Sequence, residues 1–137
     1  MTFEEIQDSL PNGLHDAGIN SITVDYLERK AIFHLEIWTA DLEDEDPETY
    51  RLATLSFMPF LYCVVEPPDP RYPFATEGPS RIDAGSYRSE DTELGQLRAS
   101  LPDGAFACWF FINSWNSFIH VAALNAEIVV HESQLKA

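Results

Sequence analysis

The chain has 137 residues, the usual size of one domain, and it is long enough to bury a hydrophobic core without disulfides or a structural metal. Its 8 basic and 23 acidic side chains give a net charge of −15, which repels the phosphates of nucleic acids and of anionic membranes. We therefore expect a single domain, residues 1–137, that binds neither nucleic acid nor membrane and would suit a basic partner.

The first third of the chain predicts a short helix followed by a β-hairpin. Thr2 and Glu5 have the spacing of a capping box, and Pro11-Asn12-Gly13 ends the helix. Apolar and polar residues then alternate in 21–26 and again in 31–38, on either side of a short charged turn. Alternation with a period of two is typical of strands that have one face in solvent. Because the connection is too short for a crossover, these two strands are expected to pair antiparallel.

The middle of the chain predicts a third strand between an acidic loop and a proline-rich loop. Residues 41–48 carry six carboxylates, but they lack the glycine and the spaced bidentate Glu of an EF-hand, so we expect a solvated loop. The third strand is expected within 51–66, with Pro59 forcing a bulge or an edge position. Its second half is apolar on both faces. The proline-rich loop 67–79 is expected to fold over one of them, and the alternative is that another protein covers it.

The remaining segments complete an α+β, mostly β, domain. Together with the first three strands they predict an antiparallel sheet of roughly six strands with two short helices. The additional elements are strands at 106–112, 117–123 and 126–132, of which 106–112 and 117–123 form a hairpin, and a helix within 89–101; residues 81–88 can add a short strand.

One apolar stretch has nearly the length of a membrane-spanning helix. Ala105–Ala126 contains no Asp, Glu, Lys or Arg, but a polar cluster from Asn113 to Ser117 lies at its centre. A polar cluster in the middle of an apolar stretch is typical of a hairpin turn and not of a spanning helix. The N-terminal segment is acidic and lacks the apolar core of a signal peptide, so a cytoplasmic protein is expected.

The two cysteines do not predict a redox or metal site. Cys63 and Cys108 both lie in apolar runs without a neighbouring cation, and they do not form a C-x-x-C motif. They are expected to be buried core thiols.

The histidines give an alternative, chemical hypothesis. His15-Asp16 precedes the first strand, and a histidine held by a carboxylate can act as a general base. No nucleophile motif or phosphate-binding loop accompanies the pair, and adjacent residues of an extended segment point to opposite sides. We expect the pair to shape a turn. The alternative is a pocket formed by His15, Asp16, His34 and His120. No histidine spacing fits a metal site, so neither a metal nor a cofactor is expected.

Surplus aromatic residues are the most suggestive feature for binding. Aromatic side chains dominate protein interfaces as well as cores. The candidates for partner binding are Trp109, Phe111, Trp115, Tyr72 and Phe74.

The stretch GLHDAGINSITVDYLERKAIFHLEIW, residues 13–38, is similar to the start of small bacterial immunity-protein-like families of polymorphic toxin systems. The similarity lies in LHDA, then an S-I-x-x-D-Y strand, a charged turn and an alternating strand. It implies a non-enzymatic, mostly β, cytoplasmic protein that blocks a toxin domain. The net charge of −15 would fit a basic toxin through electrostatic steering. The alternative function is a small enzyme or ligand-binding protein with a histidine-containing pocket.

The predicted hairpin around 113–116 is apolar on both faces and predicts a homodimer. Interfaces between subunits favour Trp, Phe and Tyr at their centres. Light scattering at micromolar concentration is expected to give twice the chain mass of 15.5 kDa. A mass near 15.5 kDa would contradict the dimer.

Overall fold

Eight strands and two helices form the part of the chain that the structure, a computed structural model, describes: residues 1–39, 50–72, 80–87 and 94–134. All strand pairs are antiparallel and belong to one sheet, which confirms the mostly β fold class. The elements are α1 (Phe3–Ser9), β1 (Ala17–Asp25), β2 (Lys30–Trp38), β3 (Tyr50–Phe57), β4 (Phe60–Val65), β5 (Ser80–Ser86), α2 (Gly95–Ala99), β6 (Phe106–Ile112), β7 (Ser117–Ala123) and β8 (Ala126–Gln134).

The expected number of strands, about six, is wrong because the third expected strand is two strands and β5 is a full member of the sheet. Pro59 has no backbone N–H to donate to a ladder, and the strand breaks there into β3 and β4. The two halves pair with different partners, β3 with β2 and β8, and β4 with β7. β5 joins β1 to β6.

Both predicted hairpins are present. In β1–β2, Ile22 lies opposite Phe33, and in β6–β7, Phe110 lies opposite Ile119. β1 begins at Ala17, earlier than expected, because its first residues pair with β5.

The sheet curls until its strands face one another across a common interior. The strand order is β4-β7-β6-β5-β1-β2-β3-β8, so each edge strand directly continues a strand from inside the sheet. The two continuations meet where Met58 N–H donates to Asn125 O at 3.0 Å and Leu124 N–H donates to Pro59 O at 3.1 Å. The sheet therefore has one inner and one outer face.

The inner face holds the core, and α1 packs against it. Phe33 on β2 and Phe110 on β6 contact each other across the interior, with ring centroids 4.6 Å apart. Phe3 of α1 reaches Phe110 at 5.7 Å. The largest fully buried side chains are Phe3, Phe33, Phe57, Phe110, Ile6, Leu14, Leu35, Ile37, Leu55, Ile82, Ile119 and Val121.

The two helices are short. The capping box of α1 is confirmed, since Glu5 N–H donates to Thr2 Oγ1 and Thr2 N–H donates to Glu5 Oε1, each at 3.2 Å. A helix was expected within 89–101, and α2 lies inside that range. The structure does not describe residues 88–93, the acidic run 41–48 or Phe74. No helix of the described residues has the length and apolar character to span a bilayer.

Two leucines provide a matched test of the core. Leu55 on β3 is fully buried, whereas Leu27 in the β1–β2 turn is 96% exposed. Leu55→Ala is expected to lower the free energy of unfolding by about 2–5 kcal/mol, because it leaves a cavity in packed surroundings. Leu27→Ala is expected to change it by less than about 0.5 kcal/mol. Urea unfolding followed by tryptophan fluorescence measures both, and similar losses in the two variants would contradict this inner face.

Candidate functional site

The outer face of the sheet differs between its two halves. On β2, β3 and β8 it is polar: exposed His34 lies opposite Thr54, whose Oγ1 is 3.3 Å from His131 Nε2. On β5, β6, β7 and β4 it centres on aromatic side chains of β6 and β7, flanked by Asp83 of β5 and Val64 of β4; we call this the aromatic half. Every residue of β6 is apolar, so when Cys108 and Phe110 turn inward, their neighbours must face outward.

The aromatic half carries a cavity of about 610 Å³ that is open on one side. Antiparallel register assembles it in two rows across the strands. Asp83, Phe111 and Phe118 lie side by side in the first row, and Gly85, Trp109, His120 and Val64 form the second. The lining consists of Val64, Glu66, Asp83, Tyr87, Leu94, Trp109, Phe111, Phe118 and His120.

Gly85 sets the position of the Trp109 indole. A Cβ atom at Gly85 would lie 2.5 Å from Trp109 Cζ2 and 2.8 Å from Cε2, so the ring rests directly against the backbone of β5. Any larger side chain at this position would push the indole into the cavity. The edge of the Trp109 ring meets Phe118, with centroids 5.8 Å apart and an angle of 78° between the planes.

Three side chains linked by hydrogen bonds cross the second row of the pocket. His120 is only 6% exposed, and its Nε2 lies 2.7 Å from Glu66 Oε2, while its Nδ1 hydrogen-bonds to the Tyr87 hydroxyl. Glu66 Oε1 also accepts from Phe118 N–H at 3.1 Å. We assign Nε2–H as the donor to Glu66 and Nδ1 as the acceptor from Tyr87. Both ring nitrogens are thereby engaged within the protein.

The titratable groups in and near the described part of the pocket are not activated nucleophiles. Burial raises the pKa of Tyr87 to about 12, although Arg98, whose guanidinium lies 4.0 Å from the ring centroid, opposes the shift. Burial also raises the pKa of the Cys63 and Cys108 thiols, so neither is an activated thiolate. Within the described ranges, no group of three His, Cys, Asp or Glu side chains is placed to hold a metal ion.

His15 and Asp16 lie in the turn before β1, and both are exposed. The expectation that adjacent residues would point apart assumed an extended segment; here Asp16 has a φ of +59°, and His15 Nε2 lies 3.4 Å from Asp16 Oδ2. His15 Nδ1 also hydrogen-bonds to Asp83 Oδ1. The pair therefore has a third member, which ties the turn to β5 and lines the pocket.

The structure brings together only some of the residues proposed from the sequence. Of the histidine set, His120 lines the pocket, while His15, Asp16 and His34 lie elsewhere. Of the aromatic set, Trp109 and Phe111 line it; Trp115 is half-buried against the core, and Tyr72 is 42% exposed.

The sequence analysis did not select Glu66, Asp83, Tyr87 or Gly85. The only local signal for Glu66 is that a charge ends the apolar run FLYCVVE. The other three become site residues only through strand register.

The start of the proline-rich loop lies along the β6–β7 hairpin. Glu66 N–H donates to Phe118 O at 3.0 Å, and Asp69 N–H donates to Trp115 O at 2.9 Å. Asp69 also accepts from Asn116 Nδ2 at 3.0 Å. The hairpin end is thus partly covered by its own chain, and the homodimer stays a prediction.

In comparisons with known proteins, no family model, no curated protein and no solved structure matches this chain. The pocket is therefore the main basis for a functional proposal, and the immunity-like resemblance stays a proposal.

The pKa of His15 provides a test of its link to Asp83. The hydrogen bond that the His15 ring donates to Asp83 raises this pKa, with a smaller contribution from the charge of Asp16. The protonated ring therefore stabilises the fold fully below about pH 6.5, and this contribution is lost as the pH rises through the raised pKa. NMR titration is expected to show Asp83→Asn returning the pKa toward its ordinary value and Asp16→Asn lowering it less. An unchanged His15 pKa in Asp83→Asn would contradict this assignment.

Proposed function

We propose that this chain is a non-enzymatic binding protein whose binding site is the pocket on the outer face of β5, β6, β7 and β4. The observation that carries the proposal is the described lining: aromatic and aliphatic side chains with the polar groups of Glu66, Asp83, Tyr87 and His120, around about 610 Å³. Small-molecule sites typically have volumes of about 300–1,000 Å³ and this mixture of apolar walls and few polar groups.

The polar groups of the pocket support binding because they are held in place without a ligand. Glu66, His120 and Tyr87 satisfy one another, and the backbone N–H of Phe118 fixes the other carboxylate oxygen. A preorganised site loses little conformational entropy when a ligand enters. The apolar surface of Trp109 and Phe111 is only half-buried and gains the most from being covered.

The alternative of a small enzyme is less well supported. A general base needs a nitrogen within reach of a substrate proton, and both nitrogens of His120 are occupied. The raised pKa of Tyr87, about 12, keeps that hydroxyl protonated near neutral pH. His15 is bound by Asp83 and lies outside the lining.

A second candidate is the binding of a basic protein, the function that the immunity-like resemblance implies. The net charge of −15 favours it, because acidic surfaces steer basic partners into contact. A protein partner would contact surface beyond the pocket, including the exposed ring of Tyr72, whereas a small ligand would not. Tyr72→Ala therefore separates the two: it weakens the binding of a protein and leaves a small ligand unaffected.

The proposed function is tested by measuring ligand binding before and after a substitution fills the pocket. Val64 and Val129 both face outward, Val64 into the pocket and Val129, 48% exposed, on the polar half. Neutral indole, titrated into the protein, is expected to shift the Trp109 indole N–H resonance in NMR spectra. Val64→Phe is expected to weaken this binding by about tenfold or more, equivalent to about 1.4 kcal/mol, because its ring occupies the cavity.

Val129→Phe is the matched control and is expected to bind indole like the natural sequence. The proposal would be contradicted if indole left Trp109 unshifted at millimolar concentration, or if Val64→Phe bound it equally well.

A further inference from the structure

We propose that the ligand of this pocket carries an organic cation, an ammonium or guanidinium group on an apolar body. This inference rests on the proposed function and adds the charge of the ligand. It follows from how carboxylates and aromatic rings are arranged around the cavity.

The two carboxylates lie at opposite ends of one row. Asp83 on β5 lies opposite Phe111, Phe111 lies opposite Phe118, and Glu66 is bonded through its side chain to Phe118 N–H. Three strand spacings, roughly 14 Å, separate the backbones of the two acids, and the Glu66 carboxylate extends toward β7, where it accepts from Phe118 N–H. Phe111 and Phe118 form the floor between them, with ring centroids 4.9 Å apart. A ligand lying on this floor has a carboxylate at each end.

The aromatic floor itself favours a positive charge. Ring faces carry negative charge density, and cations bind over Trp, Tyr and Phe within about 6 Å of the ring centroid. Trp109 and Phe118 pack at a steep angle beside this floor, so the described lining offers rings in two orientations. Aromatic rings combined with carboxylates are the usual components of ammonium-binding sites.

Basic groups offset this charge only in part, through His15, which lies outside the described lining and pairs with Asp83. That lining contains two acids and His120, but neither Lys nor Arg. His120 directs its Nε2 to Glu66, and the Arg98 guanidinium lies over the Tyr87 ring. The net charge of −15 adds a long-range field that concentrates cations at the surface.

Glu66 retains capacity for a ligand. Each of its oxygens accepts one hydrogen bond within the protein, and an ionised carboxylate has about four acceptor positions. Its side chain is 41% exposed, so an ammonium group can reach it from the open side.

The experiment compares three ligands with one indole ring: tryptamine, a cation; tryptophol, which is neutral; and indole-3-acetate, an anion. By calorimetry at low salt, tryptamine is expected to bind at least tenfold more tightly than tryptophol, and indole-3-acetate more weakly than both. The advantage of tryptamine is expected to shrink as salt screens the carboxylates. If tryptophol binds as tightly as tryptamine, the cation inference is overturned and the proposed function stands. If none of the three enters the pocket, both fail.

Charge-removing variants identify the groups responsible. Glu66→Gln and Asp83→Asn are each expected to weaken tryptamine severalfold or more, and by a larger factor than they weaken tryptophol. Glu127→Gln, on the exposed outer face of β8, is the control that removes the same charge away from the pocket. If Glu66→Gln disturbs the pocket, tryptophol binding falls too, and Asp83→Asn supplies the comparison. Unchanged tryptamine affinity in both pocket variants would overturn the inference.

A third arm distinguishes the two sources of such a cation. The dipeptide acetyl-Trp-Lys-amide carries the same chemistry on a protein side chain. If it binds at least as tightly as tryptamine, the cation is supported as a basic residue of a protein partner. If tryptamine binds more tightly, the cation is supported as part of a small amine.

Discussion

The apolar character of β6 on both faces is the constraint on which the rest of the structure depends. One face supplies Cys108, Phe110 and Ile112 to the core, and the other directs Trp109 and Phe111 outward. The described residues cover this outer face only in part, with the segment that follows β4 and with Tyr87 and Leu94. The pocket is what this partial cover leaves. The pocket exists because β6 is apolar on both faces, whereas the sheet has a core on only one of them.

The features that could be predicted from the sequence are those determined by residues close together in it. The capping box needs only Thr2 and Glu5, and each hairpin needs two alternating runs with a short turn. Alternation does not say which distant runs pair, so the junctions of β1 with β5, β3 with β8 and β4 with β7 were beyond prediction. The site divides in the same way. Trp109 and His120 were selected because they lie in clearly predicted strands. No local pattern marks Asp83 or Tyr87, and only the pairing of β5 with β6 brings them into the site.

The histidines show how environment decides the role of a side chain. His34 sits on a polar, exposed face, whereas His120 is nearly buried in an apolar one. A buried polar group costs free energy unless it is hydrogen-bonded, and His120 has a partner at each nitrogen. Its most direct contribution is to hold Glu66 and Tyr87 at fixed places in the wall. The same two hydrogen bonds engage both ring nitrogens of His120 within the protein.

The closure of the sheet has a consequence for the order in which the chain folds. The β1–β2 and β6–β7 hairpins join neighbouring residues and can form early, whereas the β3–β8 and β4–β7 ladders join segments far apart in sequence and come late. Until those ladders form, the β6–β7 hairpin shows apolar side chains on both faces, and such intermediates associate readily. A chain of charge −15 repels its own copies during this interval. The acidity of the sequence thus opposes association between copies of the chain while these ladders form.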